Sequence, residues 1–90
     1  KPPLVRILSP RRGARVGGKL NVRARVKDDL GVRVVWWAVD GREMGGKRWN
    51  PPYRVLLDLD PLERGRHRLT VLAEDFARNK TEQEVVFYKR

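Results

Sequence analysis

The chain contains no cysteine, and serine, histidine and methionine occur once each, as Ser9, His67 and Met44. Without cysteine there is no disulfide staple and no thiolate chemistry, and the redox compartment cannot be inferred. A Ser9–His67–Asp triad would need distant loops to converge, and no nucleophile motif surrounds Ser9. The chain has no phosphate-cradling glycine loop and no zinc ligand set. Neither catalysis nor a cofactor is therefore expected. No apolar run approaches the length of a membrane span. There is no signal-peptide pattern, and the chain begins at Lys1 rather than Met; the expectation is a processed chain or a module of something larger. Side-chain amides are few (Asn21, Asn50, Asn79 and Gln83), as suits a heat-adapted source.

Helical spacing is also nearly absent, and period-2 alternation takes its place. Val5 and Ile7 alternate with Arg6, and Leu20, Val22, Ala24 and Val26 alternate with Asn21, Arg23, Arg25 and Lys27. The same pattern runs through 34–39, 53–57, 69–74 and 85–88. Turn signals separate these runs: Ser9 to Gly13, Gly17-Gly18, Asp28 to Gly31, Asp40-Gly41, Gly45-Gly46, Asn50 to Pro52, Asp60 to Gly65 and Asp75 to Lys80. Asp40-Gly41 is a strong hairpin signal, since a tight turn needs positive φ. Ninety residues hold one core. The expectation is a single all-β domain over 1–90, an antiparallel sandwich of six or seven strands in two sheets.

The order Val5-x-Ile7-x-Ser9-Pro10-x-x-Gly13, Val16, Asp28-Asp29-x-Gly31-Val32, Val39-Asp40-Gly41, Pro52-Tyr53, Gly65-x-His67-x-Leu69-Thr70 and Ala73-x-Asp75 with Asn79 runs the whole chain. It resembles the bacterial Ig-like modules of secreted and cell-surface proteins. The resemblance implies an Ig-like β-sandwich without catalytic activity. Such a module would space, display or adhere beside enzymes, adhesins and wall-binding domains, outside the cell or on its surface. Two features depart from the family. Arg78 stands where a glycine is usual, so that loop is either strained or built differently. Trp36 stands where polar or mixed residues are usual.

In a strand, neighbouring side chains point to opposite faces, so Trp36 and Trp37 cannot both lie inside. The alternation sends Trp37 inward as the central core ring and Trp36 outward. The expected inner set is Val5, Ile7, Leu20, Val22, Ala24, Val26, Val35, Trp37, Val39, Val55, Leu57, Leu69, Val71, Ala73, Val85 and Phe87, with Leu62 plugging one end. Outward on the same sheet as Trp36 come Val34, Ala38, Leu72, Val86 and Tyr88, rimmed by Arg33 and Arg68. This group is the candidate interface for neighbouring domains or further copies of the chain. Two other readings stand beside it. A long Arg side chain or the Gly45–Asn50 loop covers Trp36 as a small second cluster, or Trp36, Trp49 and Tyr88 stack sugar rings of a wall polysaccharide. Trp49 otherwise caps an open end of the sandwich.

Charge is the other abundant feature. Lys and Arg number 21 against 11 Asp and Glu, fifteen of the cations are arginine, and the net charge is +10. On the other sheet Arg6, Arg23, Arg25, Lys27 and Arg54 point outward together. They form a candidate surface for an anionic polymer, whether wall glycan or nucleic acid. Nucleic acid is the weaker choice, because aromatic and basic groups fall on opposite faces. The plain alternative is a thermophilic source whose surface is simply coated with arginine. Asp28, Asp29 and Asp75 should share one pole, where hard oxygen ligands could hold calcium. The plainer role for these acids is bonding local backbone N–H groups to fix turns.

Overall fold

The alternating runs become strands that bury one side each. The computed structural model describes residues 1–90. Eight strands are formed: β1 (Leu4–Ser9), β2 (Ala14–Val16), β3 (Lys19–Lys27), β4 (Val32–Val39), β5 (Arg42–Arg48), β6 (Tyr53–Asp58), β7 (Gly65–Asp75) and β8 (Lys80–Lys89). They make a three-stranded sheet, β1-β3-β6, and a five-stranded sheet, β2-β8-β7-β4-β5. All pairs are antiparallel except β2 with β8. Eight strands exceed the expected six or seven; the two that no alternating run announced are β2, only three residues long, and β5, sequence REMGGKR. Both are edge strands with little apolar alternation, so periodicity alone does not reveal them.

Trp37, Phe87, Leu20, Leu57, Leu59, Leu69, Val22, Val35 and Val71 fill the space between the sheets with essentially no exposure. Val5, Ile7, Val26, Val85 and Leu62 pack against this core from its margins. Every residue of the expected inner set is therefore in the core or against it. Tyr53, Leu59, Val16, Val32 and Met44 join them. Trp37 does occupy the centre, and its Nε1 finds no acceptor there. Burying each large side chain is worth about 1.5–3 kcal/mol, so this interior carries the fold.

Asp40 and Gly41 both take positive φ, 52° and 80°, as a two-residue hairpin between right-twisted strands requires. Arg78 also takes positive φ, 70°, so the loop keeps the glycine-type conformation without the glycine. That conformation costs a side-chain-bearing residue about 1–2 kcal/mol. Arg78 recovers part of the cost by donating to Glu74 Oε2 at 3.0 Å.

The strands set the long axis, and the molecule measures 40 × 21 × 20 Å. One pole holds the start of β1, the β3–β4 loop and the β7–β8 loop, because Leu4 pairs with Lys27 and Val32 with Asp75. The other holds the Asp40-Gly41 hairpin, the β6–β7 loop and the end of β8, where Gly65 pairs with Lys89. Residues 1 and 90 therefore lie at opposite ends.

Candidate functional site

Four surfaces stand out: two sheet faces and two poles. On the five-stranded sheet, register puts Trp36 opposite Leu72 on one side and Lys47 on the other. Val34 and Ala38 are buried, Trp36, Leu72 and Val86 are half-buried, and Tyr88 is exposed. The face is thus less open than alternation implies. Long polar side chains on flanking strands lie over it. Lys47 Nζ sits 5.6 Å from the centre of the Trp36 ring, a cation–π contact. Beside Val34, Glu74 draws in Arg33 at 2.9 Å, Arg78 at 3.0 Å and Lys80 at 4.0 Å. Arg78 foremost, with Arg33 and Lys80, holds the Glu74 carboxyl below its ordinary range although burial opposes it. Arg68 and Glu84 close the far side at 3.2 Å. The cover comes from the Gly45–Asn50 segment, but it is a lysine rather than an arginine.

The three-stranded sheet shows the basic set as expected. Arg6, Arg23, Arg25, Lys27 and Arg54 are all exposed. Register adds a detail that alternation could not. Arg6 lies directly opposite Arg25, and Arg23 directly opposite Arg54. Like charges placed opposite each other destabilise a sheet. None of the five forms an ion pair; the acid on this face, Asp58, is engaged by Lys19 at 3.8 Å. A shallow depression of about 250 Å³ runs beside Arg23, Arg25, Arg54 and Pro52.

The pole of residue 1 exposes three large apolar side chains among charged ones such as Lys1, Lys27 and Asp29. Leu4, Leu30 and Phe76 are 74%, 62% and 65% exposed. The Phe76 ring lies against Gly31, 3.5 Å from where a Cβ would sit. The loops beneath are fixed by their acids. Asp28 accepts from the Leu30 N–H at 2.8 Å. Asp75 is fully buried and accepts from the N–H groups of Ala77 and Asn79 at 2.9 and 2.8 Å and from Asn79 Nδ2 at 3.1 Å. Asp28 and Asp75 share this pole, as expected, and Asp29 is exposed beside them. They do not assemble a calcium site: no three acidic or His side chains converge to hold a metal. The geometry matches the turn-fixing role. Trp49 stays exposed rather than capping the sandwich.

The opposite pole is pinned by His67 and Lys89. His67 Nδ1 meets Asp40 Oδ2 and Nε2 meets the Glu63 carbonyl, each at 2.6 Å. Both partners are oxygen acceptors, and these bonds raise the imidazole pKa above its ordinary value, Asp40 contributing most. Lys89 Nζ donates to the carbonyls of Leu59 at 2.7 Å and Leu62 at 2.5 Å. Ser9 donates instead to the Asn21 carbonyl at 2.8 Å. Serine and histidine thus have separate partners and form no relay. Sequence reasoning missed these exposed apolar side chains, because Leu4, Leu30 and Phe76 are isolated in the chain and only the fold brings them to one end.

These features define an Ig-like β-sandwich module. The chain belongs to the family described as Bacterial Ig domain, whose model matches residues 3–71. No curated protein matches. Among solved structures the fold is similar to one described as "Structures of Clostridium thermocellum CbhA fibronectin(III)-like modules", at TM-score 0.86 and 24% identity. That match covers 99% of this chain and 47% of the other, so this chain spans about half its length.

Proposed function

We propose that this chain is a non-catalytic extracellular or cell-surface module that spaces neighbouring domains and docks the one joined ahead of it. The observation that carries this reading is the pole of residue 1. Leu4, Leu30 and Phe76 are all exposed at the end of the molecule that holds residue 1, and residue 90 lies at the far end of a 40 Å axis. A domain linked to residue 1 meets those side chains first. Burying three large apolar side chains there restricts the angle between modules. Family membership supports the module role, and family setting supports the location. Docking through the Trp36 row is the second surface, and it requires Lys47 to be lifted from the ring.

Two copies joined head to tail provide the test. Small-angle scattering is expected to show a narrow spread of end-to-end distances. Leu30→Glu with Phe76→Glu is expected to broaden it, with each module's stability changed by about 0.5 kcal/mol or less. An equally broad spread with and without the two substitutions would sink the docking role. If Trp36→Arg alone broadens it, docking runs through the sheet face instead.

A second reading rests on the opposed Arg6–Arg25 and Arg23–Arg54 pairs: the basic face binds an anionic polymer. Repulsion built into the register is relieved when phosphates or carboxylates lie between the guanidinium groups. Affinity for poly(glycerol phosphate) is expected to fall at least tenfold between low and physiological salt. It should vanish in Arg23→Glu with Arg54→Glu. Binding indifferent to salt would exclude this reading.

A further inference from the structure

A separate basic surface lies at the pole of residue 90, on the five-stranded sheet. Tyr88 is 40% exposed there, the most open of the six residues that alternation sends outward on this sheet. Register places Arg15 of β2 on one side of it and Arg66 of β7 on the other. Directly opposed residues on adjacent strands stand about 5 Å apart, so Arg15 and Arg66 flank Tyr88 on the same face of the sheet. Beside this row opens a cleft of about 460 Å³, lined by Gly13, Arg15, Gly65, Tyr88, Lys89 and Arg90. Gly13 and Gly65 contribute backbone alone, with nothing within 4 Å of an added Cβ. Arg15, Arg66 and Arg90 form no ion pair, and no acid lines the cleft. Lys89 is already spent on the carbonyls of the β6–β7 loop. The free cations are therefore the arginines.

We propose that this cleft binds an anionic sugar, a hexuronate unit of an acidic polysaccharide, with the Tyr88 ring beneath the pyranose and Arg15, Arg66 and Arg90 taking the carboxylate. The surface supplies what such a unit asks for. A sugar ring presents one apolar C–H face, which a single exposed aromatic ring covers. Its carboxylate fits the planar fork of a guanidinium, which binds carboxylates in bidentate fashion. A nucleic-acid strand is held by several rings on which successive bases stack, and Tyr88 is the one aromatic side chain that lines this cleft. The site lies on a different sheet from the Arg23–Arg54 face and at the opposite pole from Phe76, and it shares only Tyr88 with the Trp36 row.

The experiment is a titration of the ¹⁵N-labelled chain with trigalacturonate, read from amide shifts. The expected result is saturable shifts at Gly13, Arg15, Gly65, Tyr88 and Arg90. Tyr88→Ala and Arg15→Ala should each weaken binding roughly tenfold, Tyr88→Phe should bind as the parent does, and Arg25→Ala should change nothing. Tyr88 is exposed at the sheet end, so these variants keep the fold, which their undisturbed remaining shifts would verify. No shifts, shifts confined to Arg6, Arg23 and Arg54, or equal shifts with neutral galactotriose would each overturn the proposal. So would an octathymidylate that occupies the cleft in place of trigalacturonate, because the site would then be one for nucleic acid.

Discussion

Gly45→Ala is expected to destabilise the sandwich by about 3 kcal/mol and to lower its melting temperature by roughly 12–20 °C. Gly45 has φ of 87°, a conformation that any side chain strains. A Cβ there would also stand 2.5 Å from Leu57 Cδ2, 3.1 Å from Trp37 Cδ1 and 3.2 Å from Val55 Cγ2. Leu57 and Trp37 are fully buried, so neither can swing aside into solvent. The added methyl must therefore displace the centre of the core or lift β5 away from β4. The adjacent glycine separates the two causes. Gly46 has φ of 73°, but its nearest neighbour would be the Arg48 guanidinium at 3.9 Å. Gly46→Ala carries backbone strain alone, about 1–2 kcal/mol. Thermal or urea denaturation of both variants checks this. Equal losses would mean that Leu57 repacks without cost and that β5 sits on the core only loosely. The surface consequence is specific as well. β5 holds Lys47 over Trp36, so lifting it would uncover that ring.

How much of this was legible in the sequence follows from how local each signal is. Alternation acts within one strand, so the inner set, the central Trp37 and the basic outer set were readable residue by residue. The strand β5 was not. Gly45-Gly46 reads as a turn, and only the core beneath explains why a strand needs glycine there. The exposure of Trp36 was left open between cover and contact for a related reason. A period tells which way a side chain points, and the covering comes from Lys47 on a neighbour whose register the period does not contain. The opposed arginine pairs, the exposed apolar side chains of one pole and the Arg15–Tyr88–Arg66 row are likewise products of pairing. Their members lie from 19 to 73 residues apart in the chain and carry no joint signal in one sequence.

Asp75→Ala is expected to lower the melting temperature by roughly 10 °C at neutral pH and to flatten the loss of stability in acid. Asp75 is fully buried, and its oxygens accept three hydrogen bonds from Ala77 and Asn79. Removing it leaves those donors without partners beneath a loop already strained at Arg78. Burial pushes the Asp75 carboxyl up, but the bonds from Asn79 and Ala77 together hold it below its ordinary value. Because folding lowers this pKa, its stabilising contribution is complete above the ordinary carboxylate range. It disappears as the pH falls through the lowered folded value. Glu74 is lowered too and adds an acid loss of the same sign, so the variant should retain part of the slope rather than none. His67 works in another window: its raised pKa gives stability that is full below the ordinary imidazole value and is lost as the pH rises through the folded one. Denaturation followed downward from about pH 5.5, below the ordinary imidazole value, therefore isolates the carboxylates. Identical acid slopes for the variant and its parent would show that Asp75 is not held as the hydrogen bonds imply. The same loop presents Phe76, so in two joined copies Asp75→Ala should also broaden the spread of end-to-end distances. Loss of stability without that broadening would mean that the pole of residue 1 docks its neighbour through Leu4 and Leu30 alone.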